Sequence, residues 1–182
     1  MRDSADTRTR IQHVALTLFN EKGYEATSLR EIAEKLGVTK AALYYHFKSK
    51  DEIVSSLAES RLTRLSELLD WARTQPLTAE TRQEIIRRYS DHLHDTRHAD
   101  ITRFFERNQT AMRDHPTMHT HREAMLEVVA LLYAADDTPA TRLKRSLALF
   151  ALHAALMLPL GDLDDEERRA AALEVAMDLL SD

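Results

Sequence analysis

Apolar residues recur along this chain with a period near 3.6 and nowhere with a sustained period of two. The pattern predicts helices and no strands. Ile11, Val14, Ala15, Leu18 and Phe19 form one stripe, which fits a first helix over about 7–22. Gly23 follows it, where a left-handed residue often stops a helix. Residues 1–6 are polar and are expected to be disordered.

The next stretch is denser in signals. Ser28 offers a hydroxyl as N-cap, and Glu31 stands three residues on, the spacing of a capping box. Leu29, Ile32, Ala33 and Leu36 give the second helix an inner face. Gly37 permits the positive φ of a sharp turn. Thr39 can cap a third helix over about 40–46, with Leu43 and Phe47 pointing inward and Lys40, Ala41, Tyr44 and Tyr45 outward. Two short helices joined by a tight turn are a helix-turn-helix, whose second helix enters the DNA major groove.

A long helix begins near Ser49, with Asp51 and Glu52 where the helix dipole favours acids. Val54, Leu57, Leu65, Leu68 and Ala72 keep its period as far as the break at Pro76. Further helices are expected over about 78–96, through Ile101, Phe104, Phe105 and Met112 up to Pro116, and over about 117–133. A helix over about 141–158 is apolar nearly all round, so it must bury more than one face. The last spans about 165–180. The fold class is all-α with about nine helices: a head over 1–50 and a helical body over 51–182.

Composition sharpens this picture in three ways. The net charge of −5 is uneven: residues 1–50 carry nine Lys/Arg against six Asp/Glu, while residues 51–182 carry sixteen against twenty-four. A basic head on an acidic body suits a head that meets phosphates. The absence of cysteine excludes disulfides and thiolate sites and fits a reducing cytoplasm. The start of the chain lacks the apolar core of a signal peptide. The apolar run from Leu147 to Leu160 is interrupted by His153 and is too short for a bilayer, so no membrane partner is expected.

Residues from about 7 to 54 resemble the DNA-binding domain of the tetracycline-repressor (TetR) family. The resemblance rests on the stripe from Ile11 to Phe19, Gly23-Tyr24, the Thr-Ser-Leu-Arg-Glu-Ile-Ala segment from Thr27, Leu-Gly-Val at 36–38, and Leu-Tyr-Tyr-His-Phe-Lys-Ser-Lys from Leu43 to Lys50. It implies a transcriptional regulator, most often a repressor. Lys40, Ala41 and Ala42 would then face base edges, with Lys40 donating to guanine. Arg30 is the other candidate base reader. Tyr44, Tyr45, His46 and Lys50 would hold phosphates, and Ser28 with the first amides of its helix another. The plainer alternatives are that Tyr45 packs on the first helix, that His46 is a local cap, and that Lys48 and Lys50 are solvated surface.

The resemblance further implies a homodimer through the last two helices, about 141–158 and 165–180, reading a palindromic operator. It also implies a small-molecule inducer in the body, with Trp71, Tyr89, Phe104, Phe105, Met112, Met118, Met125 and Tyr133 as candidate lining. Such residues at helical spacing also serve as plain core. Seven histidines fall in the body, with His94 and His98 four apart and His115, His119 and His121 clustered. Without a partnering carboxylate or cysteine at fixed spacing, no metal or cofactor is expected. No Gly-rich phosphate loop, nucleophile elbow or informative carboxylate pair points to an enzyme. The competing roles are a DNA-organising or protein-binding protein that acts without an inducer, and a metal-responsive regulator.

Overall fold

A computed structural model of the protein describes residues 2–94, 96–112 and 115–181. The described residues contain helices and no strand. In chain order these are α1 (Arg2–Lys22), α2 (Leu29–Leu36), α3 (Lys40–His46), α4 (Lys50–Arg73), α5 (Ala79–His94), α6 (Thr96–Arg107), α7 (Gln109–Met112), α8 (Pro116–Leu131), α9 (Pro139–Met157) and α10 (Asp165–Leu180).

Two departures from the sequence reading have local causes. First, α1 starts at Arg2, so residues 2–6 are helical and not disordered; these polar residues carry no periodic signal. Second, one expected helix through Met112 is two, split at Asn108. The Asn108 side-chain amide donates to the Phe104 carbonyl at 2.8 Å, beside the Asn108 backbone N–H at 3.1 Å. Asparagine competing in this way for a helical carbonyl favours a break.

The chain forms two compact units, Met1–Arg61 with Asp100–Met118, and Leu62–Ala99 with His119–Asp182. The head unit is therefore wider than residues 1–50, and it recruits a segment read from sequence as body. Its core joins Ile11, Phe19, Ile32, Leu43, Phe47, Ile53 and Leu57 to Ile101, Phe104, Phe105 and Met112. Phe104 lies 5.4 Å from Phe19 and 6.2 Å from Tyr24, centroid to centroid. Each such buried side chain stabilises by about 1.5–3 kcal/mol, so α6 is a structural part of the head.

The second unit is built on α5, α9 and α10. The last helix packs along α9 and against α5. Its core includes Leu65, Leu69, Ile85, Ile86, Tyr89, Leu93, Val128, Leu132, Leu149 and Leu152, with Ala148, Ala155, Ala172 and Ala176. Thr138 caps α9, accepting the Thr141 amide, and Pro139 enters its first turn. Asp164 caps α10 in a capping box with Glu167.

One face of α9 is buried, through Ala148, Leu149, Leu152 and Ala155. Another is open: Leu143, Leu147, Phe150 and Met157 are 62%, 44%, 63% and 56% exposed. These four lie at helical spacing on one stripe. The two-sided apolar pattern read from sequence is thus real, and among the described residues only one side is covered.

Candidate nucleic-acid interface

The local geometry starts with the turn between α2 and α3. Gly37 adopts φ 72°, and its N–H donates to the Glu34 carbonyl at 3.2 Å. The Val38 N–H reaches back to Ala33 O at 3.0 Å. This closure needs a left-handed residue, which glycine supplies without steric cost. Thr39 then caps α3, its Oγ1 accepting the Ala42 N–H at 3.1 Å.

The back of α3 is fixed by Leu43 and Phe47, which are fully buried. Its outer side carries Lys40, Ala41 and Ala42, all exposed. Tyr44 is half-buried, and the Lys40 ammonium lies 5.4 Å from its ring centroid. Tyr45 is 77% exposed, so it does not pack on α1. An exposed aromatic of this size, beside a cation and two alanines, is a surface suited to DNA.

Arg30 on α2 is also exposed and pairs with Glu34 at 2.7 Å. A solvent-exposed i,i+4 pair contributes little to stability, so the guanidinium is readily released to a better acceptor. Lys48, in the loop after α3, turns back onto that helix, its ammonium donating to the Tyr44 carbonyl.

Two residues expected at phosphates are engaged elsewhere. Lys50 is turned inward: its Nζ donates to Tyr24 O at 2.6 Å and Glu25 O at 3.4 Å, and lies 4.4 Å from the Tyr24 ring centroid. It clamps the turn between α1 and α2. Ser28 caps α2, its Oγ accepting the Glu31 N–H at 3.2 Å while its own N–H donates to Glu31 Oε2 at 2.8 Å. A carboxylate thus already occupies the end of α2 that was read as a phosphate seat. The Ser28 amide, Lys22 and the Ser28 hydroxyl together hold the Glu31 carboxyl down at about 2.

His46 ends α3 and is half-buried. Its carbonyl accepts the Arg8 Nη1–H at 3.1 Å, and its ring stands edge-on to Tyr45 at 5.2 Å. Arg8 also lies 4.2 Å over the Phe47 ring. Sequence reasoning missed Arg8, Tyr24 and Asp51, since partners 27 or more residues apart leave no local pattern. The Tyr24 hydroxyl donates to the Asp51 carboxylate. Burial first, and then this carboxylate, push the phenol well above its usual range.

The candidate lining residues divide between the two units. Phe104, Phe105 and Met112 belong to the head core, where Met118 packs against them. Trp71, Tyr89, Met125 and Tyr133 lie in the second unit. There the Tyr89 hydroxyl meets His153 Nε2 at 2.7 Å and Met125 Sδ at 3.2 Å. Arg88 stacks 3.9 Å over Trp71, and the Tyr133 hydroxyl bonds Ser146 Oγ at 2.8 Å.

Of the body histidines, His94 bonds Ser90 O at 2.9 Å and His115 bonds Thr117 Oγ1 at 2.8 Å. The side chain of His98 lies outside the described residues. Among the described residues, no group of three or more His, Asp or Glu side chains is placed to hold a metal. No described helix is long and apolar enough to cross a membrane.

Residues 11–57 match the family model for bacterial regulatory proteins of the tetR family. Over 66 residues the chain is 42% identical to the HTH-type transcriptional regulator AcrR of Shigella flexneri, a match covering 36% of this chain and 31% of that protein. Matches to the curated relatives span about a quarter to a half of their length. The fold likeness runs further. The crystal structure of AmtR from Mycobacterium smegmatis superposes with a TM-score of 0.78 at 22% identity, covering 95% of this chain and 85% of that one. A complex of SmeT with triclosan gives 0.69 at 20% identity, over 95% and 90%.

Proposed function

We propose that the chain is a member of the tetR family of bacterial regulatory proteins, a transcriptional repressor that binds a palindromic operator as a homodimer. A small-molecule inducer releases it. The observation that carries this reading is the outward side of α3, where Lys40, Ala41 and Tyr45 are exposed above a back fixed by Leu43 and Phe47.

In this reading α3 lies in the major groove. Lys40 donates to guanine O6 or N7, while Ala41 and Ala42 let the backbone approach and touch thymine methyls. Arg30 leaves Glu34 for a guanine edge or a phosphate. Tyr44 and Tyr45 give hydroxyls to the sugar-phosphate backbone and set the register. Ser28 and Lys50 act behind this surface, as cap and clamp.

The open stripe on α9 supports the dimer. Leu143, Leu147, Phe150 and Met157, with the half-exposed Val175 of α10, make an apolar face that a second copy would cover in an isologous contact. Support for the inducer is that a related fold, SmeT, is known with triclosan bound. Trp71, Tyr89, Met125 and Tyr133 are the residues of the second unit proposed to meet it.

The test is Lys40→Ala on a site selected from random duplex DNA. Affinity for that site should fall by about 1–3 kcal/mol, with relaxed preference at one base pair and little change on unrelated DNA. Equal loss on every sequence would remove Lys40 from base reading.

A further inference from the structure

We infer that Arg8 is a positioning residue for DNA recognition: by holding the C-terminal end of α3, it sets where the base-reading side chains fall. The inference rests on the DNA-binding reading above and extends it to a residue outside the helix-turn-helix.

The geometry is specific. α3 has seven residues, Lys40–His46, so it has few hydrogen bonds of its own and a fraying last turn. The carbonyl of its last residue, His46, accepts Arg8 Nη1 at 3.1 Å from 38 residues away. A cation at this end also opposes the negative pole of the helix. The same guanidinium lies 4.2 Å over the Phe47 ring, and that ring is fully buried. One planar group therefore ties α1 both to the end of α3 and to the residue that closes it, as lysine's point charge could not.

Tyr44 and Tyr45 sit in the turn that Arg8 holds. A shift of that turn would move both tyrosines with Lys40 one turn ahead. The predicted signature is a loss of discrimination, since contacts to phosphate tolerate small displacements better than bidentate contacts to base edges do.

The test compares wild type, Arg8→Met and Arg8→Gln on a selected duplex and on a scrambled duplex of equal length, across salt concentrations. Thermal melting of each variant is followed alongside. Arg8→Met keeps the stem over Phe47 and removes the donor; it should lose about tenfold in affinity on the selected site, one charge-assisted hydrogen bond's worth, with little change on scrambled DNA. Arg8→Gln retains a donor and should recover most of the loss. The salt slope on the selected site should stay close to that of wild type. A slope reduced by about 0.9 would make Arg8 a phosphate ligand and overturn the inference. So would full discrimination in folded Arg8→Met, or equal loss on both duplexes. If wild type itself failed to discriminate, the DNA-binding reading would fall instead.

Discussion

The Lys50 ammonium and the Tyr24 ring form a cation–π contact at 4.4 Å, and the same ammonium donates to the Tyr24 carbonyl at 2.6 Å. Tyr24 in turn holds Asp51, the neighbour of Lys50, through its hydroxyl. The start of α4 is thereby pinned to the turn after α1 through the ring, the carbonyl and the hydroxyl of one tyrosine. Lys50→Met should lower head stability by about 2 kcal/mol, the scale of a hydrogen bond to a charged group. It should leave the salt slope of DNA binding unchanged. Urea unfolding and binding titrations would check the two halves separately, and a slope lower by about one unit would return Lys50 to the phosphates.

In the second unit one ion pair is almost wholly buried. Arg145 Nη1 meets Asp137 Oδ2 at 2.7 Å with both side chains about 5% exposed. Asp137 also accepts the Ala134 N–H at 2.7 Å, and Arg145 reaches Leu132 O at 3.3 Å. Together they fasten the loop between α8 and α9. Arg145→Met or Asp137→Asn alone should cost about 3–5 kcal/mol, because each removes one half of a buried ion pair. The double variant should cost less than the sum of the two, as a double-mutant cycle on chemical denaturation would show.

The capping glutamate gives a pH signature. Folding lowers the Glu31 carboxyl from 4.5 to about 2, so the charged form is favoured in the folded chain. Its contribution is complete above about 4.5 and is lost as pH falls toward 2. The difference in melting temperature between wild type and Glu31→Gln should therefore shrink steadily from pH 5 to pH 2. A difference that stayed constant across that range would mean that the carboxylate does not cap α2.

Much of this architecture was legible because its signals are local. Ser28 with Glu31, Gly37, and Thr39 each fix a helix end within four residues of themselves, and the structure shows each in that role. The inward pattern of Leu43 and Phe47 followed from spacing alone. What was not legible depends on pairing across the chain. Lys50 reads as a surface base until Tyr24 is brought beneath it. Phe104, Phe105 and Met112 read as body residues by position, although they complete the apolar surface around Phe19. The Asn108 break was masked by good apolar periodicity on either side of it.

The apolar stripe of α9 makes its own prediction. Leu147→Glu with Phe150→Arg changes only exposed positions, so the fold should persist with wild-type helicity. Light scattering should then report a monomer, and operator affinity should drop sharply because the two heads no longer bind together. A dimer that survived these substitutions would place the interface elsewhere.

The most direct test of the central claim is fluorescence anisotropy of the full chain on a duplex selected from random sequence, set against a scrambled duplex at two salt concentrations. The account predicts tight binding to the selected duplex, two chains per site, and affinity that falls steeply with salt on both duplexes while the preference remains. Weak binding of equal strength to both duplexes would contradict it.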